Sequence, residues 1–204
     1  MTVNVHRRLV ALCAVGALVL TGCSQELPQT EAAPQPSEHE QSPTPTSEPI
    51  PTFEVPEYTT DLDLTAEEML AAEEALIGLQ RYIFVSEQVM KSGGEDTLNI
   101  DVVSVGDAKE GLEETASDFR TDNTVLFGKL ATQDLHIHEM DIGRKGKKET
   151  AISACLPEET WGIRKANEEA SKDEYEEPFR MIWTLENRGS TWKVSIQELY
   201  SENC

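Results

Sequence analysis

The chain has 204 residues, with 38 acids against 17 lysines and arginines, and a formal net charge of −21. This balance excludes nucleic-acid binding through phosphates, which needs clustered Lys and Arg, and it opposes adhesion to anionic lipid head groups by charge. Otherwise the acidity bears on solubility rather than on fold.

Taken in chain order, the first signal is Arg7-Arg8 followed by an uncharged apolar run from Leu9 to Leu20. Those twelve positions are too few to cross a bilayer as a helix, which takes about 20, and they fit the h-region of a secretory signal. The run ends in Leu20-Thr21-Gly22-Cys23, which resembles the bacterial lipobox. The resemblance implies removal of residues 1–22, a diacylglyceryl thioether on Cys23, and residence on the extracytoplasmic face of a bacterial membrane. Two acyl chains meet the requirement for stable anchoring, because one alone is marginal. The membrane is therefore an expected partner through the lipid on Cys23, with no help from charge.

Residues 23–61 follow as a stretch rich in Pro, Glu, Gln, Ser and Thr with few large apolar side chains. Such a composition predicts a disordered tether, because it buries too little surface to offset ordering entropy. Pro28, Pro34, Pro36, Pro43, Pro45 and Pro49 favour extended geometry.

Composition changes at Leu62, which sets an expected domain of 62–204, enough for one core and too little for two. Thr65-Ala66-Glu67-Glu68 has the form of a capping box. Met69, Ala72, Leu76, Leu79, Ile83 and Met90, with Leu70, Ile77 and Phe84 beside them, predict one amphipathic helix over 66–91, stopped by Gly93-Gly94. A second helix is expected from Asp107, with Leu112, Ala116 and Phe119 on one face.

The period then changes to two. Leu135 and Ile137 alternate with His136 and His138, and Ile152, Ala154 and Leu156 alternate with Ser153 and Cys155. Phe179, Met181, Trp183 and Leu185 alternate with polar residues and Ile182. Beyond the turn composition Asn187-Arg188-Gly189-Ser190, Trp192, Val194 and Ile196 alternate with Lys193, Ser195 and Gln197. These runs predict antiparallel strands with one buried face. Helices first and strands afterwards indicate an α+β fold, with helices packed on one side of a curled sheet.

Four cysteines are present. Cys13 belongs to the leader and Cys23 to the lipid, so Cys155 and Cys204 remain as an even pair in an exported region. That context favours a disulfide over two free thiols, worth roughly 4 kcal/mol in the chain-entropy view.

A long helix, a short helix around Val105-Gly106-Asp107-Ala108, a long strand, a strand bearing Ala154-Cys155, and a closing hairpin with Gly189 before Trp192-Lys193-Val194 together resemble the NTF2-like superfamily. The resemblance covers roughly 63–200. It implies a cone with a concave pocket between the sheet and the long helix. That superfamily includes isomerases, dehydratases and members with no catalytic residues. Its steroid-isomerase-like members use a tyrosine and acids in the cone. Tyr82 and Asp101 are the residues here of matching type, without a complete constellation, so no catalytic residue follows.

Other candidates carry little chemistry. His136 and His138 share a strand face, but His6 lies in the leader and His39 in the tether, so a zinc set lacks its third and fourth ligands and no metal is expected. Gly143-Arg144-Lys145-Gly146-Lys147-Lys148 is expected to be a solvated turn, and Glu168–Glu177 a solvated acidic loop without the ordered offsets of a calcium site. No nucleophile elbow, phosphate loop, H-E-x-x-H or C-x-x-C occurs in the mature chain, and no cofactor is expected. The leading expectation is a non-catalytic binding module for a small apolar ligand, a wall component or an envelope protein. Acid–base chemistry by Tyr82 and a purely structural role with a filled cone are the alternatives.

Overall fold

A computed structural model describes residues 48–143, 148–157, 160–169, 177–201 and 203–204. The leader, Cys23, the tether up to residue 47, Arg144–Lys147 of the basic turn and residues 170–176 of the acidic loop lie outside the described residues. Among those described, no helix is long and apolar enough to cross a membrane. The architecture is α+β, with helices packed on a mostly antiparallel sheet.

Helix α1 (Ala66–Lys91) opens at the capping box. The Thr65 hydroxyl accepts from the Glu68 N–H at 3.3 Å, and the Glu68 carboxylate accepts from the Thr65 N–H at 2.8 Å. The Thr65 N–H first, and then the Thr65 hydroxyl, which donates to the same carboxylate at 2.7 Å, hold the Glu68 carboxyl below its ordinary range. The helix ends in a Schellman motif: the Gly94 N–H bonds the Val89 carbonyl at 2.8 Å and the Gly93 N–H the Met90 carbonyl at 3.2 Å, with both glycines at positive φ. Gly94 also allows a close approach. A Cβ there would stand 1.9 Å from the carbonyl oxygen of Ala116, in the next long helix.

The stripe of α1 buries Ala72, Ala75, Leu76, Leu79, Tyr82 and Val89, whereas Met69 and Leu70, near its first turn, are exposed. Mid-helix Gly78 marks where α1 crosses the sheet, since a Cβ would meet Trp192 at 2.8 Å. A one-turn helix α2 (Ile100–Val103) leads into α3 (Gly106–Asp122), which buries Ala108, Leu112, Ala116 and Phe119. The helix expected from Asp107 is therefore present, but Val105 is its N-cap and Asp107 is an exposed residue of the first turn without a capping bond.

The strands are β1 (Tyr58–Thr60), β2 (Thr124–Gly128), β3 (Gln133–Asp141), β4 (Glu149–Leu156), β5 (Trp161–Lys165), β6 (Phe179–Arg188) and β7 (Thr191–Ser201). Five form one sheet in the order β1-β3-β4-β6-β7, and β2 pairs with β5 apart from it. Among these strands β1 pairs with β3 in parallel and the other pairings are antiparallel. The core lies between α1, α3 and the inner sheet face, where Ile137, Ile152, Trp183, Leu185 and Val194 are buried.

Three sequence expectations need correction. First, the folded region begins before Leu62. Glu48 to Asp61 docks on the domain: the Glu48 carbonyl accepts from Asn99 Nδ2 at 3.2 Å, Ile50 packs on the core, Phe53 meets Phe84 edge-on at 6.1 Å, and β1 adds to the edge of β3. A few apolar anchors suffice once the domain supplies an edge and a groove, although they could not fold the segment alone. Second, β4 is not covered on one face only. Ile152 through Leu156 are all buried, because Ser153 lies beneath His138 and Cys155 is bonded to the chain end.

Third, the face of β7 changes midway. Leu185 pairs with Val194, but Thr184 pairs with Ile196, so the ladder takes an extra residue at Ser195. A bulge of this kind shifts every later side chain to the opposite face. Ile196, expected inside, is exposed, and Gln197, expected outside, stands opposite Trp183 on the inner face.

The disulfide is present. Cys155 of β4 joins Cys204 with their Cα atoms 5.6 Å apart, closing a sequence separation of 49.

Candidate functional site

Burying α1 and α3 against the sheet leaves a cavity of about 380 Å³. Helix α1 contributes Tyr82, Ile83, Ser86 and Met90, helix α3 contributes Ala108 and Leu112, and the sheet side contributes Leu156, Phe179, Met181 and Trp183. Trp161 of β5 and Leu130, before β3, complete an apolar wall, and Trp161 meets Phe179 edge-on at 5.9 Å. The volume falls at the small end of ligand pockets. Its exposed lining residues, among them Asp107, Gly111 and Gln197, mark the opening.

One side of the wall is held open by a buried carboxylate. Glu87 accepts from the Leu130 N–H at 2.8 Å and from Lys91 Nζ at 2.7 Å. This fixes the β2–β3 connection over the helix instead of letting Leu130 collapse inward.

The polar part of the cavity is a small network at one end. Tyr82, 3% exposed, donates its phenol to Gln197 Oε1 at 2.8 Å, and Trp183 Nε1 donates to the same oxygen at 3.1 Å. Ser86 donates to the Tyr82 carbonyl at 2.9 Å. Burial pushes the Tyr82 phenol up to about 12, so it remains a neutral donor throughout the physiological range. Trp161 Nε1 is buried without a hydrogen-bond partner among the described residues. Among the described residues no lysine or arginine lines the cavity, and Asp107 is its one carboxylate.

The sequence candidates fall in different places. Tyr82 is in the cavity; Asp101 is not. Asp101 is exposed outside it and pairs with Lys109 at 2.6 Å, which lowers the carboxyl and raises the amine from their ordinary values. His136 and His138 lie on the opposite sheet face, with ring centroids 4.6 Å apart. His138 Nε2 bonds the Ser153 hydroxyl at 2.8 Å and His136 Nδ1 the Thr59 hydroxyl at 3.0 Å, and Tyr200 packs at 5.3 Å from the His138 ring. Burial first, then the neighbouring His136 and Arg180, lowers the His138 pKa. Among the described residues no three His, Cys, Asp or Glu side chains gather as a metal set. Cys23 lies outside the described residues.

Sequence reasoning missed Gln197 and Trp161. Gln197 reads as outward by alternation, and its inward turn depends on the bulge at Ser195. Trp161 falls in a short strand without alternation, and its aromatic character was the one available signal.

No family model matches the chain, and no curated protein matches it. Among solved structures the chain is similar to the intermembrane space region of chloroplast protein ARC6, at 8% identity and a TM-score of 0.46, over 68% of this chain and 99% of that one.

Proposed function

We propose that the chain is an extracytoplasmic lipoprotein anchored through Cys23, and that its folded region is an NTF2-like cone serving as a non-catalytic binding module for a small apolar ligand. The observation that carries the binding reading is the open, largely apolar cavity of about 380 Å³ between the helices and the sheet. The order of elements, and register shifts in the β3–β4 and β6–β7 ladders that bend a sheet, support the cone. An open cavity also argues against a scaffold whose cone is filled by its own side chains.

Acid–base chemistry is disfavoured by the groups on hand. Tyr82 holds its proton to about pH 12 and spends it on Gln197, Asp107 is exposed at the opening, and Asp101 is tied to Lys109 elsewhere. The lipid reading rests on Leu20-Thr21-Gly22-Cys23 and the apolar run before it.

Each half has its own test. Binding of an apolar fluorescent dye should saturate with one site per chain and be abolished by Met181→Trp, which fills the cavity; dye binding insensitive to that change refutes the cavity as the site. Metabolic labelling with a fatty-acid analogue should mark the wild type and not Cys23→Ala, and label kept by the variant refutes the anchor.

A further inference from the structure

A pocket's preference follows from which hydrogen-bonding groups the protein has already used. In this cavity the hydroxyl protons of Tyr82 and Ser86 and the indole N–H of Trp183 are all committed to protein acceptors. Gln197 is different. Its Oε1 accepts two of those bonds, which fixes the orientation of the amide, and its Nε2 group, with two protons, has no acceptor among the described residues and stands with the residue at the cavity opening. Trp161 Nε1 is also without an acceptor among the described residues, but it is buried behind the cavity surface, so it offers no bond to a ligand. The uncommitted group at the polar end is thus a donor, and an acceptor oxygen placed beside it gains a hydrogen bond.

Charge narrows the choice further. Among the described residues no cation lines the cavity to neutralise an anion, the one carboxylate at its opening repels one, and the whole chain carries −21. A carboxylate brought into such a site loses its hydration without a partner. An uncharged carbonyl or ether oxygen accepts the same N–H bonds without that penalty.

Resting on the binding reading above, we infer that the cavity selects an uncharged apolar molecule carrying an acceptor oxygen, an ester or ketone, over a carboxylate of the same length. Gln197 is the residue that reads the oxygen, and the apolar wall takes the hydrocarbon. Tyr82 and Trp183 act through Gln197 by holding its amide in place.

The test uses the mature chain exported with Cys23→Ser behind a cleavable leader, so that no detergent enters the cavity. Methyl decanoate, decanoate and decane compete at pH 8 against an apolar fluorescent dye. The ester is expected to bind at least tenfold tighter than the carboxylate. Gln197→Glu keeps an acceptor for Tyr82 and Trp183 but removes the free N–H donors, and it should weaken the ester about three- to tenfold while decane is held as before. Decane affinity retained in that variant shows that the cavity is intact, so a loss confined to the ester is not a folding defect. Decanoate binding as tightly as the ester overturns the inference, as does an ester affinity that is unmoved in Gln197→Glu or that falls only in step with that of decane. Failure of all three probes to displace the dye overturns the binding reading itself, whereas binding without ester preference overturns only the selectivity.

Discussion

Replacing Cys204 by serine opens a closed loop with a sequence separation of 49. In the chain-entropy model that loop length corresponds to about 4 kcal/mol at 25 °C, an amount reduced if the unfolded chain keeps residual structure. For a domain of this size each kcal/mol moves the melting temperature by about 2–4 °C, so a loss of roughly 8–16 °C is the upper range. The structure adds a local expectation. Beyond the bulge at Ser195 the outer half of β7 is a sheet edge with Leu199 and Tyr200 more than half exposed, so its own packing does little to hold it. The bond ties the residue three places beyond β7 to Cys155 in the middle of the sheet. Hydrogen exchange should therefore show two effects in Cys204→Ser: a uniform fall in protection at the most protected amides, including those of α1, and an additional fall over residues 196–201. Calorimetry gives the first quantity and exchange with mass spectrometry the second. A melting temperature lowered by less than about 2 °C would refute the entropic argument, and equal loss in α1 and β7 would refute the pinning of the strand.

Three further outcomes are expected. A chain beginning at Leu62 should melt several degrees below one beginning at Ser24, because it loses β1 and the Phe53–Phe84 contact; equal melting temperatures would show that the docking of 48–61 contributes nothing. Gly189→Ala, with positive φ but open space, should cost about 1–2 kcal/mol in denaturant titration, and Gly94→Ala should cost clearly more than that, because it adds to the same positive φ a Cβ 1.9 Å from the Ala116 carbonyl; equal losses would refute the close-approach argument. The depressed His138 pKa means that the unfolded chain takes up that proton first as pH falls, so His138→Gln should flatten part of the stability loss below the ordinary histidine value of 6.5; an NMR titration placing His138 at or above 6.5 would refute the sign.

Much of α1 was legible from sequence because its signals are local. The capping box needs only Thr65 and Glu68 three residues apart, and Gly93-Gly94 stops the helix through bonds to Val89 and Met90. The disulfide was legible by counting, since the expected leader and lipid take up Cys13 and Cys23 and leave Cys155 and Cys204 as a pair. The alternation in β3 likewise placed Leu135 and Ile137 inside.

What the tertiary structure alone decided begins with the β2–β5 pair and the docking of 48–61, which depend on partners distant in sequence. It includes the two covered faces of β4, where burial comes from His138 and the chain end rather than from any apolar pattern in the strand. Above all it includes Gln197. Alternation carried along β7 sends that residue to solvent, and one extra residue in the ladder against β6 turns it inward beside Tyr82 and Trp183. Periodicity describes a strand by itself, whereas a bulge is a property of two strands in register, so the residue that gives the cavity its polar end becomes visible only when β6 and β7 are paired.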